Sequence, residues 1–323
     1  MNVVLPLASS LLAFVFAGMV LDQWFQRRHS FQLVWAIGLL WYGVAAGTEF
    51  LGSAFGWNDA LYRTWYLIGA FLVPAYLGAG TLYLLHKTRF GYFAAASIGL
   101  GGLFSALAIA RYPGSAAAGY TTLAVALIAA AAIAIATKVR REMQAHVAMA
   151  FLVAGTLVVA VQVLSAQVAG AYLDPTTHVP TGSAFPGYLR VVSIPFNAGG
   201  GLVLVFGALY SAYIYMPKRR ALPARLAIMA VLVNFFASVP AAFAALRESK
   251  LSSRVPATIL IAVGAFVPGL TSSLNRFGVT WSFFLGEFAG LLVIFIGFLV
   301  SEEVFRNVRL GTTLWSRPPS LEH

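Results

Sequence analysis

Apolar runs of about 20 residues recur along almost the whole of this 323-residue chain, and that is the length a helix needs to cross the hydrocarbon core of a bilayer. They fall at roughly 3–24, 31–55, 62–86, 91–111, 117–137, 145–170, 189–216, 225–246, 256–274 and 280–301. The runs are continuous rather than alternating, and barrel strands would be about half as long. The expectation is an all-α transmembrane bundle of about 10 helices, with nine as the alternative. Composition agrees: 60% of residues are hydrophobic and 10% charged, against about 25% charged in a soluble domain. These figures exclude a disordered chain and a soluble enzyme domain.

The net charge of +11 does not point to nucleic acid, because the basic residues fall in short clusters between the apolar runs. Arg27 and Arg28, Lys87 and Arg89, Lys138 with Arg140 and Arg141, and Lys218 to Arg220 all follow odd-numbered runs. Read by the positive-inside rule, helices one to seven have the N-terminus outside and those clusters inside. The first run has no basic residue before it and reads as a retained helix rather than a signal peptide. The last third is ambiguous. Ten crossings leave 12 basic residues inside and 9 outside; if Leu226 to Leu246 does not cross, the count becomes 17 and 4. Charge favours nine crossings, but the apolar length of that segment favours ten, and ten is the expectation. The chain divides into a seven-helix module over 1–220, additional membrane helices over 221–304 and a polar tail over 305–323. Its last residues, Ser320 to His323, read as an expression scar. Ala171 to Gly187 is a Pro-rich connector long enough to cap one face.

Cysteine is absent, and no two histidines share a helical face at ligand spacing, so no cofactor and no metal site is expected. A shift of 113 residues pairs Leu7–Glu49 with Tyr120–Gln162, each a helix, a basic corner and a second helix, followed by a third that starts with Arg63 or Arg190. Phe55-Gly56 and Thr64-Trp65 recur as Phe277-Gly278 and Thr280-Trp281, which suggests a third unit. Internal repeats are common in transporter folds, where the site lies between them.

Ionisable groups at membrane depth are costly and point to function. Glu49 and Glu287 are the two such groups here, and the repeat places Gln162 at the position of Glu49. Arg63, across a hairpin turn, is the expected structural partner of Glu49. The run Pro195, Asn197, Gly199, Gly200, Gly201 breaks helix seven, and Pro74 with Gly78 and Gly80 interrupts helix three. Broken helices expose backbone groups to a cavity or ligand; close packing through small residues is the other reading. Glu49, Gln162, Asn197 and Glu287 are thus the ligand-binding candidates, with no catalytic residue assigned. Tyr62, Trp65, Tyr66, Tyr112 and Tyr188 cluster near helix ends and read as an interfacial belt.

Gln26-Arg27-Arg28, Trp41-Tyr42, Glu49-Phe50-Leu51 and the run Leu61 to Gly69, with Pro74 and a basic finish at Lys87 to Arg89, resemble the seven-helix N-terminal sensory region of bacterial histidine kinases. The resemblance covers about a quarter of the chain and implies ligand or membrane sensing rather than catalysis; membrane segments stand where an output domain would follow. Three readings come out of the sequence. The first is a small-molecule or ion transporter of the bacterial inner membrane. The second is a sensor or accessory subunit, as a homo-oligomer or with a separate signalling partner. The third is a membrane enzyme, which lacks any nucleophile–base or metal pattern. The partners expected are the lipid bilayer and an unknown small ligand or ion, with no nucleic acid.

Overall fold

In a computed structural model, residues 1–223, 227–248 and 250–301 are described. The tail at 305–323, with Arg306, Arg309, Arg317 and the end at Ser320 to His323, lies outside them. Among the described residues, ten helices are long and apolar enough to span a membrane. They are α1 Val4–Arg27, α2 Ser30–Phe55, α3 Asp59–Leu84, α4 Gly91–Arg111, α5 Ala116–Val139, α6 Met143–Ser165, α7 Gly187–Tyr215, α8 Ala227–Arg247, α9 Arg254–Arg276 and α10 Phe283–Val300.

Helices α3 and α7 lie against each other at the centre. α2 covers α3, α4 and α9 cover α7, and α1 bridges α2 to α10. The α1–α2 contact is close because Gly43 meets the Phe14 ring: a Cβ there would lie 2.8 Å from it, and Ser10 donates to the Gly43 carbonyl at 2.8 Å. Gly47, one turn on, meets Ser10 of α1, and small residues spaced four apart let two helices pack closely. α5 packs mainly on α4, whereas α6 is the least embedded, with 11% of its apolar window buried.

One end of the bundle is a loop end. There Asn2 bonds to the Thr177 carbonyl, Thr177 to Thr280, Asn275 to the Pro180 carbonyl and Arg111 to the Arg276 carbonyl. The other is a basic end, where Gln144 holds the carbonyls of His86 and Thr88 in the Lys87–Arg89 turn. Arg254, which opens α9, bonds Tyr215 at the last residue of α7, so α9 starts at the basic end and finishes at the loop end. α8 therefore has both of its termini at the basic end. Its middle confirms this: Ser238 accepts from the Arg219 amide at 2.9 Å, and Asn234 accepts from the amides of Ala221 and Leu222 at 2.7 and 2.8 Å. A crossing helix of 21 residues, about 31 Å long, would hold those residues at mid-membrane, far from the connector. Among the described residues the ten apolar helices expected are thus present, and they make nine passes between the two ends, the alternative count. The run in α8 is apolar because one side packs on Ala212 and Met216 while Met229, Phe236 and Phe243 stay exposed. Hydropathy alone does not separate such a helix from a crossing one. Basic charge does: Arg247, Lys250 and Arg254 join the basic end, and Arg276 joins Arg63, Arg111 and Arg190 at the other.

The repeat has a structural counterpart. α3 and α7 each carry a five-residue π-helical segment, Ile68–Leu72 and Pro195–Gly199. Each begins five residues after the arginine near the start of its helix, Arg63 or Arg190. The break in α3 precedes Pro74 rather than lying at Pro74, Gly78 and Gly80. A proline has no N–H to give and crowds the turn before it, and the widened π turn accommodates it. Gly56 and Gly278, paired in the proposed first and third units, share positive φ angles of 97° and 92°.

Candidate functional site

The two π segments line a cavity of about 90 Å³ toward the loop end. α2 supplies Tyr42 and Glu49, α3 supplies Trp65, Tyr66, Gly69 and Ala70, and α7 supplies Arg190 and Asn197. α9 and α10 close it with Asn275, Arg276 and Glu287. Three of the four ligand candidates, Glu49, Asn197 and Glu287, therefore meet in one space, although they are far apart in sequence. Gln162 does not join them. It lies on α6 along a second, apolar cavity, because α6 is set away from α2 by the intervening α3. Thr271, which precedes Phe277-Gly278 by the spacing at which Glu49 precedes Phe55-Gly56, turns its hydroxyl back to the Val267 and Pro268 carbonyls and is packed on Gly286.

Glu49 is 2% exposed and lies about 9 Å from the end of α2 at 1.5 Å per residue. Its Oε1 accepts from Trp65 Nε1 at 2.7 Å, while Oε2 has no hydrogen-bond partner. The carboxyl of Glu287 adjoins it. Tyr42 donates to the Glu287 carbonyl at 2.8 Å, tying α2 to α10 beside the pair. The expected Glu49–Arg63 pair does not form. Arg63 Nε meets Asp59 at 2.7 Å, and its Nη1 bonds the carbonyls of Val163, Leu164 and Ala166 at 2.6, 3.2 and 2.8 Å. The C-terminal turn of α6 leaves carbonyls unsatisfied and carries the negative end of the helix dipole. That end attracts the guanidinium more effectively than a carboxylate on the far face of α2.

Two guanidiniums face the same space from the loop side. Arg276, the last residue of α9, donates to Ser193 at 2.9 Å and to the Arg190 carbonyl at 3.3 Å. Arg190 lies 4.8 Å over the Tyr112 ring. Both lie beside Tyr66, whereas the two carboxyls adjoin each other. The cavity is thus polarised, with carboxyls on one side and guanidiniums on the other. Asn275 Oδ1 adds a further buried atom with no partner. Arg276 was not a sequence candidate. With ten crossings it falls at the opposite membrane face from Arg190, so the hidden signal was the charge count that favours nine.

The connector 171–187 forms a lid over this end. Asp174 accepts from the Thr176 and Thr177 amides and from the Thr177 hydroxyl, which with Leu173 bridged to Pro180 shapes a tight loop. The Thr177 amide bond, above all, holds the Asp174 carboxyl below its ordinary range. Tyr62 is sandwiched between Tyr172 and Phe185, with ring centroids at 4.6 and 5.0 Å, and donates to the Thr181 carbonyl. Tyr62, Trp65 and Tyr66 are therefore buried under the lid, at 0%, 7% and 4% exposure, and do not form the interfacial belt expected of them. A polar loop folding over helix ends removes their aromatic rings from lipid and water alike. Compared with known protein families, curated proteins and solved structures, the chain matches none.

Proposed function

We propose that this protein is a bacterial inner-membrane carrier of a small polar solute or cation, and that the cavity between the two π segments is its binding site. One observation carries the reading: the buried Glu49 carboxyl adjoins that of Glu287 on the wall of a small polar cavity. Two ionised carboxyls at close range repel in a medium of low dielectric. Such a pair takes up a proton or a cation, and exchange of one for the other is a coupling step. Asn197, on a π turn, supplies a neutral ligand, and Arg190 and Arg276 hold an anionic group if the solute has one. Broken helices that meet at a polar centre are the usual plan of secondary transporters. The positive-inside pattern supports a lidded end that faces outside the cell.

The resemblance to histidine-kinase sensory regions favours a second reading, in which ligand capture signals to a partner chain. The residues that carry the resemblance include Glu49, Trp65 and Tyr66, which build the cavity. Both readings use one site. The test is thermal stability of the purified protein against monovalent and divalent cations, small amines and amino acids, followed by counterflow in vesicles. A compound that stabilises wild type but not Glu287→Gln, by mass action, identifies the site; accumulation in vesicles establishes carriage. Stabilisation without accumulation supports sensing, and stabilisation that Glu49→Gln and Glu287→Gln both leave intact refutes the site.

A further inference from the structure

A second cavity, of about 580 Å³, lies on the other side of α7 and shares no residue with the polar one. Its size is in the range of sites for drug-sized ligands. It is long in its lining. On α5 it runs from Ala117 to Ile133, about 24 Å of helix, and on α6 from Ala148 to Gln162, about 21 Å. Along that length the walls are small or aliphatic, among them Ala79, Ala94 and Val203.

Its polarity is graded. The polar side chains on its wall are Gln162, Thr121, Thr122 and Tyr188, and each lies within the two turns of its helix nearest the loop end. The far end, at Ile133, Ala148 and Leu82, is wholly apolar. Gln162 Oε1 is out of contact with solvent and has no hydrogen-bond partner. In an apolar setting an unmet acceptor is costly, which marks a place for a donor. Access is from the side. Val125 on α5 and Val158 on α6 line the cavity while being 52% and 56% exposed on the outer surface.

We infer that this slot binds one long-chain amphiphile with a neutral hydrogen-bond-donating head, taken in from the bilayer between α5 and α6. The chain lies parallel to the helices toward Ile133, and the head meets Gln162 near the loop end. A single chain fits the one-sided polarity, with its head among Gln162, Thr121 and Thr122 and its tail along the apolar length toward Ile133. The wall includes Pro195 and Phe196, on the same π turn whose Asn197 faces the polar cavity, so the occupant abuts the other side of that turn.

The probe is a long-chain fatty alcohol with a mid-chain diazirine, applied to the full-length protein in lipid nanodiscs and mapped by peptide mass spectrometry. Saturable labelling on α5 around Ala129 to Ile133 and on α6 around Phe151 and Leu152 is expected, with competition by unlabelled long-chain but not short-chain alcohol. Gln162→Leu is expected to raise the half-saturating concentration about fivefold, the worth of one ordinary hydrogen bond. Ala129→Trp should abolish the labelling by filling the slot. If that variant does not fold, Val125→Trp at the exposed mouth serves the same purpose. Labelling spread evenly over lipid-facing residues of all helices overturns the inference. So does labelling that neither Trp variant diminishes, or stronger labelling of the same peptides by a diazirine phosphatidylcholine.

Discussion

Gly200 and Gly201 are neighbours in α7, and the structure predicts opposite outcomes for giving each a methyl group. A Cβ on Gly200 would lie 2.7 Å from Ala75 Cα, Ala75 N and Pro74 C, all of them backbone atoms of α3. Gly78 is the reciprocal contact, since its Cβ would lie 2.5 Å from the Gly200 carbonyl oxygen. Carbon atoms rest at about 3.5–4.0 Å, so Gly200→Ala forces the two central helices about 1 Å apart. No side-chain rotation can relieve it. Overpacking of this kind costs about 1–3 kcal/mol, offset by up to about 1 kcal/mol of helix propensity. At Gly201 nothing lies within 4 Å, so only the propensity gain operates. The two variants should differ by about 2 kcal/mol, with Gly200→Ala below wild type and Gly201→Ala at or above it. Unfolding in mixed micelles by increasing fractions of a denaturing detergent measures this. Equal stability of the two variants would refute the packing argument and return Gly200 to a ligand-facing role. Gly200→Leu goes further: the helices cannot meet, and aggregation in detergent is expected rather than a folded protein with an impaired site.

Three more outcomes can be checked. Glu49→Gln and Arg63→Gln should add within about 0.5 kcal/mol, because the two side chains share no partner; strong coupling would restore the pair the structure lacks. Reporters fused after Arg220 and after Lys250 should read the same face and one after Gly278 the opposite face, whereas opposite readings for the first two would make α8 a crossing helix. Asp174 is held below its ordinary range by amides it accepts in the folded lid, so its contribution is present above the unfolded value of about 3.9 and is lost as pH falls through the folded one. The lid should keep its amide protection at neutral pH and lose it only in acid below about pH 4, and Asp174→Ala should lose it at neutral pH; protection in Asp174→Ala equal to wild type would show that the carboxylate does not hold the loop.

Much of the architecture was legible in the sequence, because a bilayer imposes a length and a polarity that one apolar run at a time can satisfy. Ten helices, the polar connector, the place of the helix-seven break and the two intramembrane carboxyls all follow from local pattern. The π turns gave the repeat an observable form, because Arg63 and Arg190 stand at the same distance before each break. What the sequence left open depends on contacts between distant segments. An apolar helix lying across an end has the same hydropathy as one that crosses; the basic count hinted at the difference, and the bonds of Asn234 and Ser238 to the preceding connector decided it. That one reversal moves Arg276 to the end that holds Arg190 and brings Glu287 beside Glu49. The partner of Arg63 was likewise a tertiary matter: the unsatisfied carbonyls at the end of α6, a hundred residues away, outcompete a carboxylate one hairpin away. Composition determined that this chain is a membrane bundle; packing decided which polar groups share a cavity, because adjacency across helices is set by direction and rotation that no single segment encodes.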